Sequence, residues 1–123
     1  MDIDSLLASI PTPSAEYMAT RGPLARRYTL VFLRSGPVPS GDDARQEQLQ
    51  LEHLQHLTKL QILEKLIFNG PTLIEHDIRG VSIYDADVDE ARALAEADPR
   101  VRAGQLSVEA IPWIAVPSDS QRR

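Results

Sequence analysis

The sequence contains no cysteine. Disulfide bonds, thiolate nucleophiles and cysteine-based zinc sites are therefore excluded, and the composition is compatible with a reducing cytoplasm. Basic residues are also few and dispersed, since 13 lysines and arginines stand against 18 aspartates and glutamates, for a formal net charge of −5. Because binding to a phosphate backbone requires clustered positive charge, this balance argues against a nucleic-acid partner.

Long hydrophobic runs are missing as well. The longest apolar stretches are far shorter than the roughly 18 to 20 residues that cross a bilayer, so we expect no membrane association. The N-terminus carries the acids Asp2 and Asp4 where a secretion signal carries bases. We therefore expect a cytoplasmic protein. With 123 residues, the chain can form one domain with a single core but not two independent ones.

The two ends of the chain differ in pattern from its middle. Residues 1–26 combine a few apolar residues with Pro11, Pro13 and Pro23, which predicts an arm with one helical turn followed by extended chain. Residues 116–123 form a polar tail. The folded domain is predicted over residues 27–115.

Within this domain, hydrophobic periodicity and the positions of glycine and proline predict six elements. They are a strand over 27–34, a long helix over 44–65, a strand over 66–69 closed by Gly70 and Pro71, a strand over 79–84, a helix from Asp87 that cannot pass Pro99, and a strand over 105–111 closed by Pro112 and Trp113. The first strand is apolar on both sides and should be central. The second and third strands should pair antiparallel.

The order β-α-β-β-α-β is the split βαβ arrangement of an α+β fold, in which two helices cover one face of an antiparallel four-stranded sheet. The other face carries apolar residues that nothing in the chain covers, unless the N-terminal arm does so. Pairing two sheets face to face would bury this surface. We therefore expect a homodimer.

Two histidines lie on the buried face of the long helix. At 100° per residue from position 49, His53 and His56 fall at about 40° and 340°, within the apolar stripe of Leu57, Leu60 and Leu63 at about 80°, 20° and 320°. Imidazole changes charge near neutral pH. Its burial among leucines therefore indicates either a core histidine bonded to backbone carbonyls or the start of a site.

Five segments of the sequence carry a more specific signal. They are His53-Leu54-Gln55-His56-Leu57, Asn69-Gly70-Pro71, Ile78-Arg79-Gly80-Val81, the block from Ala97-Asp98-Pro99 to Gln105-Leu106, and Pro112-Trp113. In this order and spacing, they resemble the YCII-related (YciI-like) family of small dimeric α/β-barrel proteins, over roughly residues 28–113. The resemblance implies a ferredoxin-like monomer that dimerises through its sheet, with a pocket built around His53 and Asp98. It also places Gly70 and Pro71 beside the pocket. Relatives vary at the position of His56, which is predicted either to line the pocket or to be a satisfied core histidine.

Asp98 has two interpretations that are compatible. It precedes Pro99 and could cap the short turn that runs to Ala103, and its second carboxylate oxygen would still be available to His53. A carboxylate bonded to one ring nitrogen fixes the tautomer and raises the basicity of the other nitrogen, which can then act as a general base or acid. No serine, cysteine or lysine stands out as a nucleophile, so the pattern favours proton transfer over covalent catalysis.

A metal site at the same histidines is the weaker interpretation. His53 and His56, with Glu52 or Asp98 as a further ligand, make only half of a metal-binding motif, so we predict no metal and no cofactor.

Four further polar residues have ordinary explanations as surface residues. His76 and Asp77 lie in a polar hairpin loop, where a solvated turn is expected. Arg100 and Arg102 could steer an anionic ligand towards Asp98, although solvated surface is the default for such side chains.

Two functions remain open from the sequence. The first is a small enzyme in which the His53 and Asp98 dyad moves a proton on a cyclic or enolisable organic substrate, as in a lyase, an isomerase or a dehalogenating elimination. The second is a non-catalytic dimeric module that binds a metabolite or accompanies another protein, in which the two residues only keep the pocket open and ordered.

Overall fold

The structure is a computed structural model that describes residues 2–121. The chain forms two compact units, one made of the chain before Arg27 together with the chain after Ile114, and the other of Arg27–Ile114. The first unit contains the helices α1 (Ile3–Ala8) and α2 (Ala15–Ala19) and the 3₁₀ turns Gly22–Leu24 and Asp119–Gln121. Within residues 2–121, no helix has both the length and the apolar character needed to span a bilayer.

The second unit is built on a four-stranded sheet. Its elements are β1 (Arg26–Ser35), α3 (Ala44–Ile62), β2 (Leu66–Pro71), β3 (Ile78–Tyr84), α4 (Val88–Glu96), α5 (Pro99–Arg102) and β4 (Leu106–Ala115). The strand order is β2-β3-β1-β4, and β3 pairs antiparallel with both β1 and β2. The predicted α+β, ferredoxin-like fold is confirmed, including the central position of the first strand and the antiparallel second and third strands.

The core lies between one face of this sheet and the two longer helices. Along β1, Thr29, Val31 and Leu33 are buried in alternation, as expected when one face of a strand packs on helices. Leu60 of α3 and Ala95 of α4 belong to the same buried cluster. The buried Thr29 hydroxyl donates to the Ala86 carbonyl at 2.8 Å, so it is not left without a hydrogen bond.

Helix α3 begins where the sequence predicts but ends three residues earlier. The Asp43 side chain accepts a hydrogen bond from the backbone N–H of Gln46 and caps the start of the helix. At the other end, Glu64 has a φ of 60°, in the left-handed region, so the helix cannot continue to Lys65. Leu63, which the helical angle placed on the apolar stripe, is consequently 64% exposed.

The N-terminal arm is more helical than predicted. A second short helix follows the first, because Ser14 accepts a hydrogen bond from the backbone N–H of Tyr17 and caps α2. Pro11 and Pro13 lie between α1 and α2, and Pro23 lies in the 3₁₀ turn. The expectation of a single turn followed by extended chain is therefore wrong.

Two predicted strand ends are also corrected. Pro112 and Trp113 were expected to close the fourth strand, but β4 continues to Ala115. Gly70 and Pro71 were expected to follow the second strand, and β2 does end at Pro71 but includes both residues. The reason is the position of these strands in the sheet. Strands β2 and β4 are its edges, where a proline without an N–H removes no hydrogen bond from the sheet interior.

Gly36 provides a test of how tightly the end of β1 packs on the loop before β4. Its N–H donates to the Gln105 carbonyl at 2.8 Å, and a Cβ at this position would lie 2.1 Å from the Gly104 oxygen. We expect Gly36→Ala to lower the free energy of unfolding in urea by about 1 to 3 kcal/mol, because the backbone must move to relieve the clash. Gly70→Ala is the matched control, since its Cβ would meet nothing within 4 Å. An equal loss in both variants would contradict this packing.

Candidate active site

Asp98 is held by the local structure between α4 and α5. Helix α4 ends at Glu96, and Pro99 occupies the first turn of α5, where its missing N–H costs no hydrogen bond. The Oδ1 atom of Asp98 accepts a hydrogen bond from the backbone N–H of Arg100 at 2.8 Å. The predicted capping role of Asp98 is thus present in the structure, and it leaves the second oxygen of the carboxylate available.

That second oxygen contacts His53. The Nδ1 atom of His53 lies 2.5 Å from Oδ2 of Asp98, although the two residues are 45 positions apart in the chain. His53 is 8% exposed and Asp98 is 1% exposed, so the pair is largely removed from water. A hydrogen bond to a charged group is stronger in such surroundings than at the surface. The two residues therefore form a buried dyad that joins α3 to the start of α5.

The dyad fixes the tautomer of the imidazole. An ionised carboxylate can only accept hydrogen bonds, so Nδ1 of His53 must donate, and in the neutral ring Nε2 then carries the lone pair. Within residues 2–121, Nε2 of His53 has no hydrogen-bond partner. Every fully buried side-chain nitrogen or oxygen atom in these residues does have a partner, so Nε2 is not fully buried. Nε2 is therefore accessible to solvent and can accept a proton.

His53 lines a cavity of about 170 Å³ on the helix-covered face of the sheet. Leu33, Leu57 and Leu106 supply apolar walls, and the β2 and β3 strands supply further lining. Gly70 and Pro71, two of the three residues predicted beside the pocket, line this cavity. The dyad thus meets a space large enough for a small molecule, as a functional site requires.

His56, the third of these residues, lies elsewhere. It is not among the residues that line the cavity, and its Nε2 donates to the Leu94 carbonyl at 2.8 Å. This is the arrangement of a core histidine whose polar ring is satisfied by the backbone. The sequence placed both histidines on the same face, but only His53 reaches the cavity.

The remaining predicted polar groups have local roles. The Nδ1 atom of His76 accepts a hydrogen bond from the backbone N–H of Ile78, and Asp77 pairs with Arg34 at 2.9 Å. Both contacts stabilise the turn before β3. Within the described part of the chain, no three histidine, aspartate or glutamate side chains cluster closely enough to hold a metal ion.

Several lining residues are not predicted by the sequence pattern, among them Ser82 and Arg79. Ser82 is buried and lines the cavity, as does Arg79, which precedes Gly80 in β3. Both positions fall inside a strand, where the pattern alone does not show which face of the sheet leads to a cavity.

Tyr84 does not add a second base to this region. Burial, followed by the negative charge of Asp98, raises the pKa of Tyr84 to about 12. The phenol therefore remains neutral throughout the physiological range. Among the groups near the dyad, the imidazole of His53 is the one with an accessible nitrogen that carries a lone pair.

The variant Asp98→Asn tests the tautomer. Since Oδ1 is held by the N–H of Arg100, the new amide would turn its NH₂ group towards Nδ1 of His53. Nδ1 would then have to accept, and the ring proton would move to Nε2. We expect ¹⁵N NMR of the neutral ring to show a protonated Nδ1 in the unmodified protein and a protonated Nε2 in the variant.

Asp87→Asn is the matched control, because Asp87 caps α4 in the same way without contacting a histidine. This control should leave the His53 signals unchanged. A ring proton on Nε2 of the unmodified protein, or the same tautomer in both proteins, would contradict the proposed orientation of the dyad.

Comparison with known proteins agrees with this arrangement of elements. Residues 29–114 match the family model of the YCII-related domain. A search of curated proteins found no match. Among solved structures, the chain is similar to 5-chloro-2-hydroxyhydroquinone dehydrochlorinase (TftG) from Burkholderia phenoliruptrix AC1100, in complex with 2,5-dihydroxybenzoquinone, with 24% identity and a TM-score of 0.53 over 70% of this chain and 92% of that chain. At this identity the likeness shows the fold, and the domain match shows the family. This chain belongs to the YCII-related domain family.

Proposed function

We propose that this chain is a small enzyme that moves a proton on a small organic substrate, with His53 as the general base and Asp98 as the residue that orients it. The observation that carries the proposal is the contact of His53 Nδ1 with Asp98, which leaves Nε2 accessible at the cavity. A base must reach its substrate, carry a lone pair and keep its orientation, and this histidine meets all three conditions.

The reaction class that fits this pair is elimination or isomerisation. Nε2 of His53 takes a proton from a carbon or hydroxyl group, and the adjacent carboxylate of Asp98 stabilises the positive ring that forms. In an elimination, the electron pair of the broken C–H bond forms a double bond while a leaving group departs with its own bonding pair. The similar solved structure is a dehydrochlorinase, which supports loss of chloride as the first reaction to test.

Covalent catalysis is less consistent with the geometry. Ser82 lines the cavity, but within residues 2–121 the only hydrogen bond of the His53 side chain is the one to Asp98. An activated serine nucleophile would need its hydroxyl bonded to the base. The contacts therefore support proton transfer.

The cavity limits the size of the substrate. Its volume is about 170 Å³. An engineered apolar cavity of roughly 150 Å³ in another protein holds one benzene molecule, so a single ring or a short chain is the expected size. The solved structure of the similar dehydrochlorinase contains 2,5-dihydroxybenzoquinone, which is a one-ring compound.

Activity measurements on two histidine variants test the proposal. The assays are chloride release from 5-chloro-2-hydroxyhydroquinone and deuterium exchange from D₂O into small enolisable ketones and keto acids. His53→Gln should lower the rate at least about a hundredfold, because it removes the base. His56→Gln is the matched control from the same helix, since its ring lies outside the cavity lining. Its rate should stay close to that of the unmodified protein.

Equal rates in the two variants, or no reaction catalysed by the unmodified protein above the rate in buffer, would contradict the enzymatic proposal. The second result would favour the alternative function, a non-catalytic module that binds a metabolite.

We also propose that the second unit dimerises through the sheet face that the helices leave open. This face carries aromatic and aliphatic side chains from all four strands, among them Phe32, Phe68, Ile83 and Trp113. Phe68 is 55% exposed. Contiguous apolar surface of this kind is typical of an interface. The bounds 27–115 for the YCII-related ferredoxin-like domain and the cytoplasmic location are further proposals.

Sedimentation measurements test the dimer. We expect the unmodified protein to sediment at twice the chain mass of 13.7 kDa and Phe68→Glu to shift towards the monomer, because a charge would be buried in the interface. Leu73→Glu is the control, since Leu73 is 96% exposed in the loop after β2. A monomeric unmodified protein, or equal dissociation in both variants, would exclude this interface.

A further inference from the structure

Two arginines line the cavity that contains His53. They are Arg79 from β3 and Arg100 from α5. Within residues 2–121, neither guanidinium forms an ion pair with a carboxylate, whereas Arg34 on the same sheet pairs with both Asp77 and Glu109. Arg100 is half-buried and Arg79 is exposed. The charge of Arg100 therefore lacks the ion pair that a half-buried charge usually has.

Arg100 is held in place by neutral groups alone. Its Nε donates to the side chain of Gln105 at 3.0 Å, and its two terminal nitrogens donate to Gln50 at 3.0 Å and to Ser40 at 2.8 Å. Gln105 is itself buried and hydrogen-bonded to Gln46. These contacts fix the position of the guanidinium without neutralising it.

Arg79 lies at a β-bulge beside the cavity that Arg100 also lines. Along the pairing of β1 with β3, Leu33 faces Gly80 while Arg34 faces Ile78, so Arg79 is the extra residue. A bulge interrupts the strict alternation of side chains and can turn one of them towards a neighbouring site. Arg79 lies at this bulge and lines the cavity.

The electrostatics of the two arginines agree with this placement. Burial, followed by the positive charge of Arg79, lowers the pKa of Arg100, and the negative charge of Asp98 opposes this change. The two guanidinium groups are therefore close enough to repel each other. None of the residues that line the cavity is an acid. With a neutral His53, the two arginines and Asp98 leave one net positive charge, which a monoanion would balance.

We propose that Arg79 and Arg100 form a binding site for a carboxylate group, and that the substrate of this cavity is a small organic monoanion. A carboxylate accepts hydrogen bonds from the planar guanidinium groups while the carbon skeleton of the same molecule lies against His53. The statement that this ligand is a substrate rests on the proposed function. The binding of the anion itself can be measured without turnover.

Calorimetry with benzoate and benzamide tests the site. The two compounds have the same size and ring, and only benzoate carries the charge. We expect benzoate to bind at least about tenfold more tightly than benzamide, because a hydrogen bond to a charged group contributes more than a neutral one. Arg79→Gln should weaken benzoate binding about tenfold and leave benzamide unaffected. Arg79→Lys, which keeps the charge, should recover part of the affinity.

Arg102→Gln is the matched control. Arg102 lies on α5 with Arg100, is exposed and is not among the lining residues. It should bind benzoate as the unmodified protein does. Benzoate binding is measured without turnover, so a protein that binds benzoate but catalyses no reaction has lost the function of the base and not the anion site.

Three results would overturn the proposal. They are equal affinities for benzoate and benzamide, absence of benzoate binding with a Kd below about 10 mM, and equal weakening in Arg79→Gln and Arg102→Gln. Inorganic phosphate that displaces benzoate and binds more tightly would show a site for a dianion and would overturn the assignment to a carboxylate.

Discussion

The hydrogen bond between His53 and Asp98 is the interaction on which the site depends. It joins the middle of α3 to the connection between α4 and α5, and both partners are buried. Burying the carboxylate of Asp98 would be costly without partners. Each of its two oxygens accepts a hydrogen bond, one from the backbone N–H of Arg100 and one from the imidazole of His53. These bonds offset the cost of burial. A single side chain thus ends one helix, starts the next and orients the histidine.

The charges around this bond have different roles. Asp98 is paired with His53 and faces the protein interior, whereas Arg79 and Arg100 line the cavity without carboxylate partners. Tyr84 remains a neutral phenol because burial and Asp98 raise its pKa to about 12. The cavity therefore combines an accessible basic nitrogen with uncompensated positive charge. This combination suits a substrate that is an acid at one end and loses a proton at the other.

The fold and half of the dyad could be predicted from local patterns. Helical periodicity placed His53 on the buried face of α3, and the order of Asp98 and Pro99 indicated a helix cap. The contact between His53 and Asp98 spans 45 residues, so only the family resemblance brought the two together. Local patterns could not show that only one of the two histidines reaches the cavity. His53 and His56 are about one turn apart on the same face of α3, and the position of the Leu94 carbonyl on α4 decides which ring it binds. The bulge at Arg79 depends on the pairing of β1 with β3, which no segment shows alone.

Asp98 holds His53 with its proton on Nδ1 and a free lone pair on Nε2. Neutron diffraction from deuterated crystals at about pH 8 would locate the deuterons directly. We expect a deuteron on Nδ1, directed at Oδ2 of Asp98, and none on Nε2. A deuteron on Nε2 with an unprotonated Nδ1, or deuterons on both nitrogens, would contradict this expectation.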